Sequence, residues 1–244
     1  LNHFELKVEF LWVCASHTHF APQLDPSKPK LGRICQSHLN YVAKKIAKSV
    51  ILEKKQNSHK LATIFHGRSS GKGGVHRRKM GWSINTKPPF LWKKCKLAPN
   101  DNVEICQDFR HWTLRGHDKT PIVIFTHWPC HPVSSFSKDE ISTSHIGVIR
   151  NTLRNAYGLS VPIISMAGCS GDIRPDFRSF ALNLKQVISL SFQPIFSMPT
   201  KKAVECFFSD LASTTHNSIK NSQEIESAEF DGYATISSYN ITKE

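Results

Sequence analysis

Several familiar signatures are missing from this sequence. The seven cysteines, at 14, 35, 95, 106, 130, 169 and 206, stand apart from one another. With no C-x-x-C pair and an odd count, they argue against both a cysteine-paired zinc finger and a disulfide framework. Some lie in apolar runs ("EFLWVCA", "VECFF"), where a free thiol behaves as a small hydrophobe, so a reduced protein is expected. No apolar stretch approaches the ~18 residues that a membrane-spanning helix needs. No RNP or KH signature for nucleic acid is present. "GRSSGKGG" looks like a phosphate loop, but Gly73 follows Lys72 where the motif requires a serine or threonine. Internal repeats and low-complexity tracts are also lacking, and no start or signal region is visible. The first residue is Leu1 rather than methionine, and the expectation is a fragment or a processed product.

Acidic residues are few. Lys plus Arg number 32 against 19 Asp plus Glu, a net charge of +13. Such a balance attracts anions: an acidic lipid surface, nucleic acid or a phosphorylated substrate. The hydrophobic fraction of 39% is enough for a core.

What is present alternates between strand-like and helix-like patterns. "LKVEFLWV" (6–13) reads as a buried strand. "CQSHLNYVAKKIAKSVILEK" (35–54) places Leu39, Val42, Ile46 and Val50 at helical spacing. "KLATIFH" (60–66) reads as a strand running into a glycine and serine loop, and a long irregular section with turns at "KPPF" and "APNDN" follows. "VEICQDFRHWTL" (103–114), "IVIFTH" (122–127) and "VPIISMAG" (161–168) are strand-like. "HIGVIRNTLRNAYG" (145–158) is a helix closed by Gly158, and 201–219 is another, with Val204, Phe207, Phe208 and Leu211 on one side. "AEFDGYATISSY" is a candidate last strand. The alternation predicts an α/β domain with a mainly parallel or mixed central sheet flanked by helices.

In such sheets chemistry gathers at the carboxyl ends of the strands. Four segments occupy such places: "SHTHFAP", "GGVHRRK", "THWPCHPVSSF" and "GCSGDIRP". His17, His19, His127 and His131 all lie just past buried strands, and neutral imidazole is the commonest zinc ligand. Alternation along an extended segment points His17 and His19 to one face. Both can serve one ion, or one can bind metal while the other meets substrate. Asp172, in a glycine-flanked turn, either orients a histidine from behind or caps the next element.

Taken in order, these segments resemble the N-terminal catalytic domain of the neutral/alkaline non-lysosomal ceramidase family. "ASHTHFAP" is similar to the family's T-H-T-H-S-G-P, "VHRRK" to its N-R-S or N-R-R segment, and "WPCHPVSS" to its second histidine segment. "ISTSHIGVIRNTL" is similar to I-S-x-D-x-x-G, and "GCSGDIRP" to G-x-x-G-D-x-S-P or its G-D-I-R-P variant. The likeness is clearest over residues 5–180, with a helix-plus-strand extension at 200–244, and implies that 1–244 is a single, truncated domain.

The resemblance implies a zinc-dependent amidase that cleaves the N-acyl bond of ceramide or another amide- or lipid-like substrate. His17 and His131 would hold Zn2+, His19 would face the substrate and Arg77 would contact it near the scissile amide, with Asp172 of the G-D segment as a further catalytic group. Family members are often secreted or membrane-facing; the sequence itself leaves the compartment open. The family's other two ligands, a Glu in G-E-F-T and a later Tyr, are expected beyond Glu244, since "AEFDGYAT" around Glu229 lies too close to the preceding helix. Arg174 stands where G-D-x-S-P has its serine, Ser144 where I-S-x-D has its aspartate, and Ala21 where T-H-T-H-S-G has its glycine. Two histidines fall short of the three protein ligands usual in catalytic zinc sites. The expectation is a zinc hydrolase, inactive in this truncated form. The alternative is a non-catalytic basic domain that binds anionic lipid or nucleic acid.

Overall fold

The computed structural model describes residues 14–55, 63–84, 88–137, 139–179 and 194–225. The strand expected over 6–13 and the one in "AEFDGYATISSY" lie outside the described residues.

The main sheet forms around "PIVIFTH", strand β5 (Pro121–His127), whose β-branched run buries Ile124 and Thr126. β4 (Asp108–Arg115) folds back on it as a hairpin. The turn between them is held by Asp118 Oδ1, which accepts from the Thr120 N–H at 3.0 Å and the Thr120 hydroxyl at 2.6 Å. On the other side of β4 lies β1 (Thr63–Ser70), followed by β10 (Gln223–Ile225). β6 (Ile163–Met166) lies beside β5 and parallel to it, reached through helix α2 (Ser144–Tyr157). The order β10-β1-β4-β5-β6 thus has one parallel pairing and three antiparallel ones. The sheet is mixed.

Two helices seal this sheet. α2 buries Ile146, Ile149 and Leu153 and ends at Gly158, whose φ of 116° suits a residue without Cβ. α3 (Lys201–Lys220) starts at Thr200, whose Oγ1 accepts from the Ala203 N–H at 3.2 Å. It buries Val204, Phe207 and Leu211, with Phe208 partly buried beside them. Toward its end it lies so close to β1 that only glycine fits at 67: a Cβ there would stand 2.3 Å from the Ser218 carbonyl oxygen. The core joins Phe109 of β4, Ile124 of β5, Ile149 and Leu153 of α2, Ile163 of β6 and the apolar side of α3. Helix α1 (Gln36–Lys55) forms as its periodicity predicts, yet Leu39 and Val42 are only half-buried and Ile46 is exposed.

Two segments differ from expectation. "GRSS" is not a loop but the second half of β1, because β4 pairs with it as far as Ser70 opposite Asp108. The turn shrinks to Gly71–Gly73, with Gly73 at φ 86° against the Phe207 ring. The supposedly irregular section is a long hairpin of β2 (Gly74–Ile84) and β3 (Leu91–Asn100). Its lysines break the apolar alternation that normally reveals strands. The hairpin's base pairs with β7 (Ile173–Pro175), giving a second sheet of order β3-β2-β7. A separate two-stranded pair joins β8 (Arg178–Ser179) to β9 (Ile195–Phe196).

Candidate metal centre

The loops after β5 and β6 meet beside the root of the β2–β3 hairpin. His131 lies in the first of these loops and is pinned twice. Its backbone N–H donates to the Ile173 carbonyl at 3.0 Å, and its Nδ1 lies 2.9 Å from the Ser170 carbonyl oxygen. The segment 17–20 is laid across this loop. The His19 N–H donates to the Pro132 carbonyl at 3.3 Å, the Thr18 hydroxyl to the Ser142 carbonyl at 2.8 Å, and the Ser142 N–H to the Phe20 carbonyl at 2.9 Å.

These contacts bring three imidazoles together. The Nε2 of His17 lies 3.2 Å from that of His131, and the Nε2 of His19 lies 3.0 Å from it. One ligand atom from each residue falls within 4.8 Å of the others. His17 and His19 converge, as expected, but not through strand alternation. His17 adopts φ 59°, an uncommon conformation for a residue with a Cβ, and this turn of the chain swings both rings toward His131.

The electrostatics of the cluster follow from its position. A carbonyl oxygen can only accept, so the Nδ1 of a neutral His131 carries the proton and its Nε2 presents a lone pair. Burial, helped by Arg77 and the two neighbouring histidines, pushes the His131 pKa down to about 4 against the pull of the Ser170 hydrogen bond. His19 is also lowered, first by burial, then by the charges of His17, Arg77 and Arg174. At neutral pH the His131 lone pair therefore faces two other Nε2 atoms at hydrogen-bond distance. It can accept one N–H, and a cation between the rings satisfies all three.

Nitrogen ligands about 2.0–2.1 Å from a tetrahedral ion stand roughly 3.3–3.4 Å apart. The Nε2 atoms of His17 and His19 lie 3.2 and 3.0 Å from that of His131, a spacing compatible with a shared metal ion. The backbone acceptor behind His131 is the kind of outer partner that fixes a ligand's tautomer.

The remaining candidates are spread around this centre. Arg77, in β2, donates its backbone N–H to the Asp172 carbonyl at 2.7 Å and its Nε–H to the Gly171 carbonyl at 2.8 Å. It is thus tied to the turn that supplies Ser170. The Asp172 carboxylate lies 3.4 Å from His76 Nε2, so it pairs with that histidine rather than with one of the cluster. His127 ends β5 packed against Gly168, where φ is 60° and a Cβ would meet the His127 ring at 2.3 Å. Of the pair His127 and His131, only the second joins the cluster. Ser144, in the place of the family's aspartate, accepts the Ser134 N–H at 2.8 Å and so shapes the loop carrying His131.

Three participants were not legible beforehand. The Ser170 carbonyl has no side-chain signature, and His76 is one histidine among 13. Arg174, noticed only as a departure, turns out to sit near enough to lower the His19 pKa, with its guanidinium 4.2 Å above the Phe196 ring.

No family model and no curated protein matches this chain. Solved structures do, among them two ceramidases. A neutral ceramidase from Pseudomonas aeruginosa aligns with 77% of this chain and 27% of its own, at 11% identity and a TM-score of 0.47. A ceramidase complexed with C2 aligns with 84% of this chain and 30% of its own, at 10% identity and a TM-score of 0.52. The chain thus spans less than a third of the length of either. In fold, it is distantly similar to part of a solved ceramidase.

Proposed function

We propose that His17, His19 and His131 hold Zn2+ and that residues 1–244 form a ceramidase-like domain of a metal-dependent amidohydrolase acting on an amide- or lipid-like substrate. The observation that carries this reading is the meeting of three Nε2 atoms around a lone pair that His131 cannot surrender, because its only nearby proton is committed to the Ser170 carbonyl. Zinc at this point supplies Lewis acidity toward a carbonyl oxygen and toward water.

The chain's own groups do the rest. His131 stays neutral as a donor because it is buried, and the pKa of His19, which is exposed, is lowered by partial desolvation and by the charges of His17, Arg77 and Arg174. The resemblance points His19 at the substrate; here it is also placed to be the third protein ligand, which completes the usual number for a catalytic site. Arg77 presents a cation held by the Gly171 carbonyl, suited to a substrate oxygen that gains negative charge. Arg174 adds a second guanidinium near His19, which favours an acyl amide with an anionic group over neutral ceramide.

Zinc content measured on the protein and on a His17→Ala, His131→Ala variant tests the metal. Stoichiometric zinc in the first and its loss in the second is expected; equal content in both removes the reading. His19→Ala separates its two roles. Loss of zinc makes it a ligand, whereas retained zinc with lost amide hydrolysis makes it the substrate-facing group.

A further inference from the structure

We propose that the β2–β3 hairpin docks the protein on an anionic lipid surface through one of its faces. This inference is independent of the metal site. In an antiparallel ladder, side chains of directly opposed residues share a face. Arg78 opposes Leu97, Met80 opposes Cys95, and Trp82 opposes Lys93, with Leu91 next along β3 on the same side. Met80 is 58% exposed, Trp82 49%, Leu97 49% and Leu91 47%, so four large apolar side chains stand together in solvent. Scattered apolar residues need no explanation, but a contiguous group of this size marks an interaction surface.

Charge complementarity names the partner. Neither strand contains an acidic residue, and the face with Met80 and Trp82 carries Arg78 and Lys93, while Lys79, Lys94 and Lys96 on the opposite face add to the positive field of the hairpin. Two nearby acids at the root, Asp101 and Asp172, are paired with Arg178 and His76. Lys93 lies over the Trp82 ring at 5.2 Å, and Lys94 lies near the Trp92 ring at 6.0 Å. Tryptophan with lysine beside it is the pairing that settles at a membrane interface: the ring enters the headgroup layer and the ammonium stays with the phosphates. A single-stranded nucleic acid would instead be met by a run of stacking rings. On this face Trp82 is accompanied by Met80, Leu91 and Leu97, which offer bases nothing to stack on.

Co-sedimentation of the full chain with phosphatidylcholine vesicles, with and without about 30% phosphatidylserine, at about 0.1 M salt, reads the partition coefficient directly. Binding is expected only with phosphatidylserine, with a blue shift of tryptophan emission. Arg78→Gln with Lys93→Gln, both exposed on this face, should lower it about 30-fold, since each cation near such a surface contributes about fivefold. Trp82→Ser with Leu91→Ser should lower it at least tenfold at unchanged charge. Lys201→Gln with Lys202→Gln, exposed at the start of α3, removes the same charge elsewhere and should change it less than threefold. Unchanged far-UV dichroism certifies the variants, all at exposed positions. Absence of binding overturns the proposal, as does an equal loss in the α3 variant, which would mean diffuse attraction by the +13 charge. Displacement of the vesicles by a thymidine oligonucleotide overturns it in favour of nucleic acid.

Discussion

Lowering the pH from 7 to 5 should weaken zinc binding far less than three histidines ordinarily would. An imidazole of pKa ~6.5 is about three-quarters neutral at pH 7 and about 3% neutral at pH 5, so proton competition costs it a factor of ~25. Three such ligands together would lose roughly 10⁴-fold in affinity over this range. His131 is different: burial holds its pKa at about 4, so it is still mostly neutral at pH 5 and contributes almost nothing to the loss. That takes one factor of ~25 out of the product, and the downward shift of His19 takes out more. The loss should therefore stay below about a thousandfold. Competition against a chromophoric chelator of known proton affinity measures it, with binding followed at several pH values. A full 10⁴-fold loss, or a slope of three protons per zinc near pH 6, would refute the reasoning. It would mean that the buried position does not keep His131 ready to bind.

Other outcomes follow from the core and the cluster. His111 is fully buried, bonded through Nδ1 to the Ser218 hydroxyl at 2.7 Å, and burial pushes its pKa down to about 4. As pH falls from ~6.5 the unfolded chain takes up this proton first, so stability declines until pH ~4, by about 3 kcal/mol at most. His111→Leu should flatten urea midpoints over that window, and identical pH profiles would sink the idea. Gly67→Ala forces a Cβ within 2.2 Å of the His111 ring and 2.3 Å of the Ser218 carbonyl. It should cost about 3 kcal/mol in urea denaturation, the upper end of overpacking penalties, because a helix backbone must shift. Arg77→Met removes one of the charges that, after burial and His17, hold His19 down. The His19 midpoint in an NMR titration should move up; an unmoved midpoint would show that Arg77 does not reach it.

The parts of the fold that could be read from sequence are those whose burial is one-sided or complete. α2 and α3 announce themselves by apolar residues three and four apart, and β5 and β6 by short β-branched runs. The β2–β3 hairpin escaped because much of one face and part of the other remain in solvent, so its strands show no apolar period. Sheet direction was legible only as mainly parallel or mixed, because a strand's own residues do not say which neighbour it pairs with; here β1, β4 and β5 pair antiparallel and β5 with β6 parallel. At the candidate site, His17, His19 and His131 were legible as histidines following apolar runs and from the family resemblance. Their convergence through a left-handed turn at His17, and the engagement of Asp172 with His76, depend on tertiary contacts that no local pattern encodes.

The acceptor behind His131 is a main-chain oxygen, and this changes what mutation can do to the centre. A carboxylate in that role could be deleted by one codon change; the Ser170 carbonyl survives any replacement of the serine that leaves the turn intact. Vulnerability passes instead to positions that shape the turn, such as Gly168 with its φ of 60°. A saturation scan of 168–172 should find tolerance at the residue whose oxygen is used and intolerance two residues before it. A centre wired in this way can drift far in sequence while its geometry is inherited through the path of the chain.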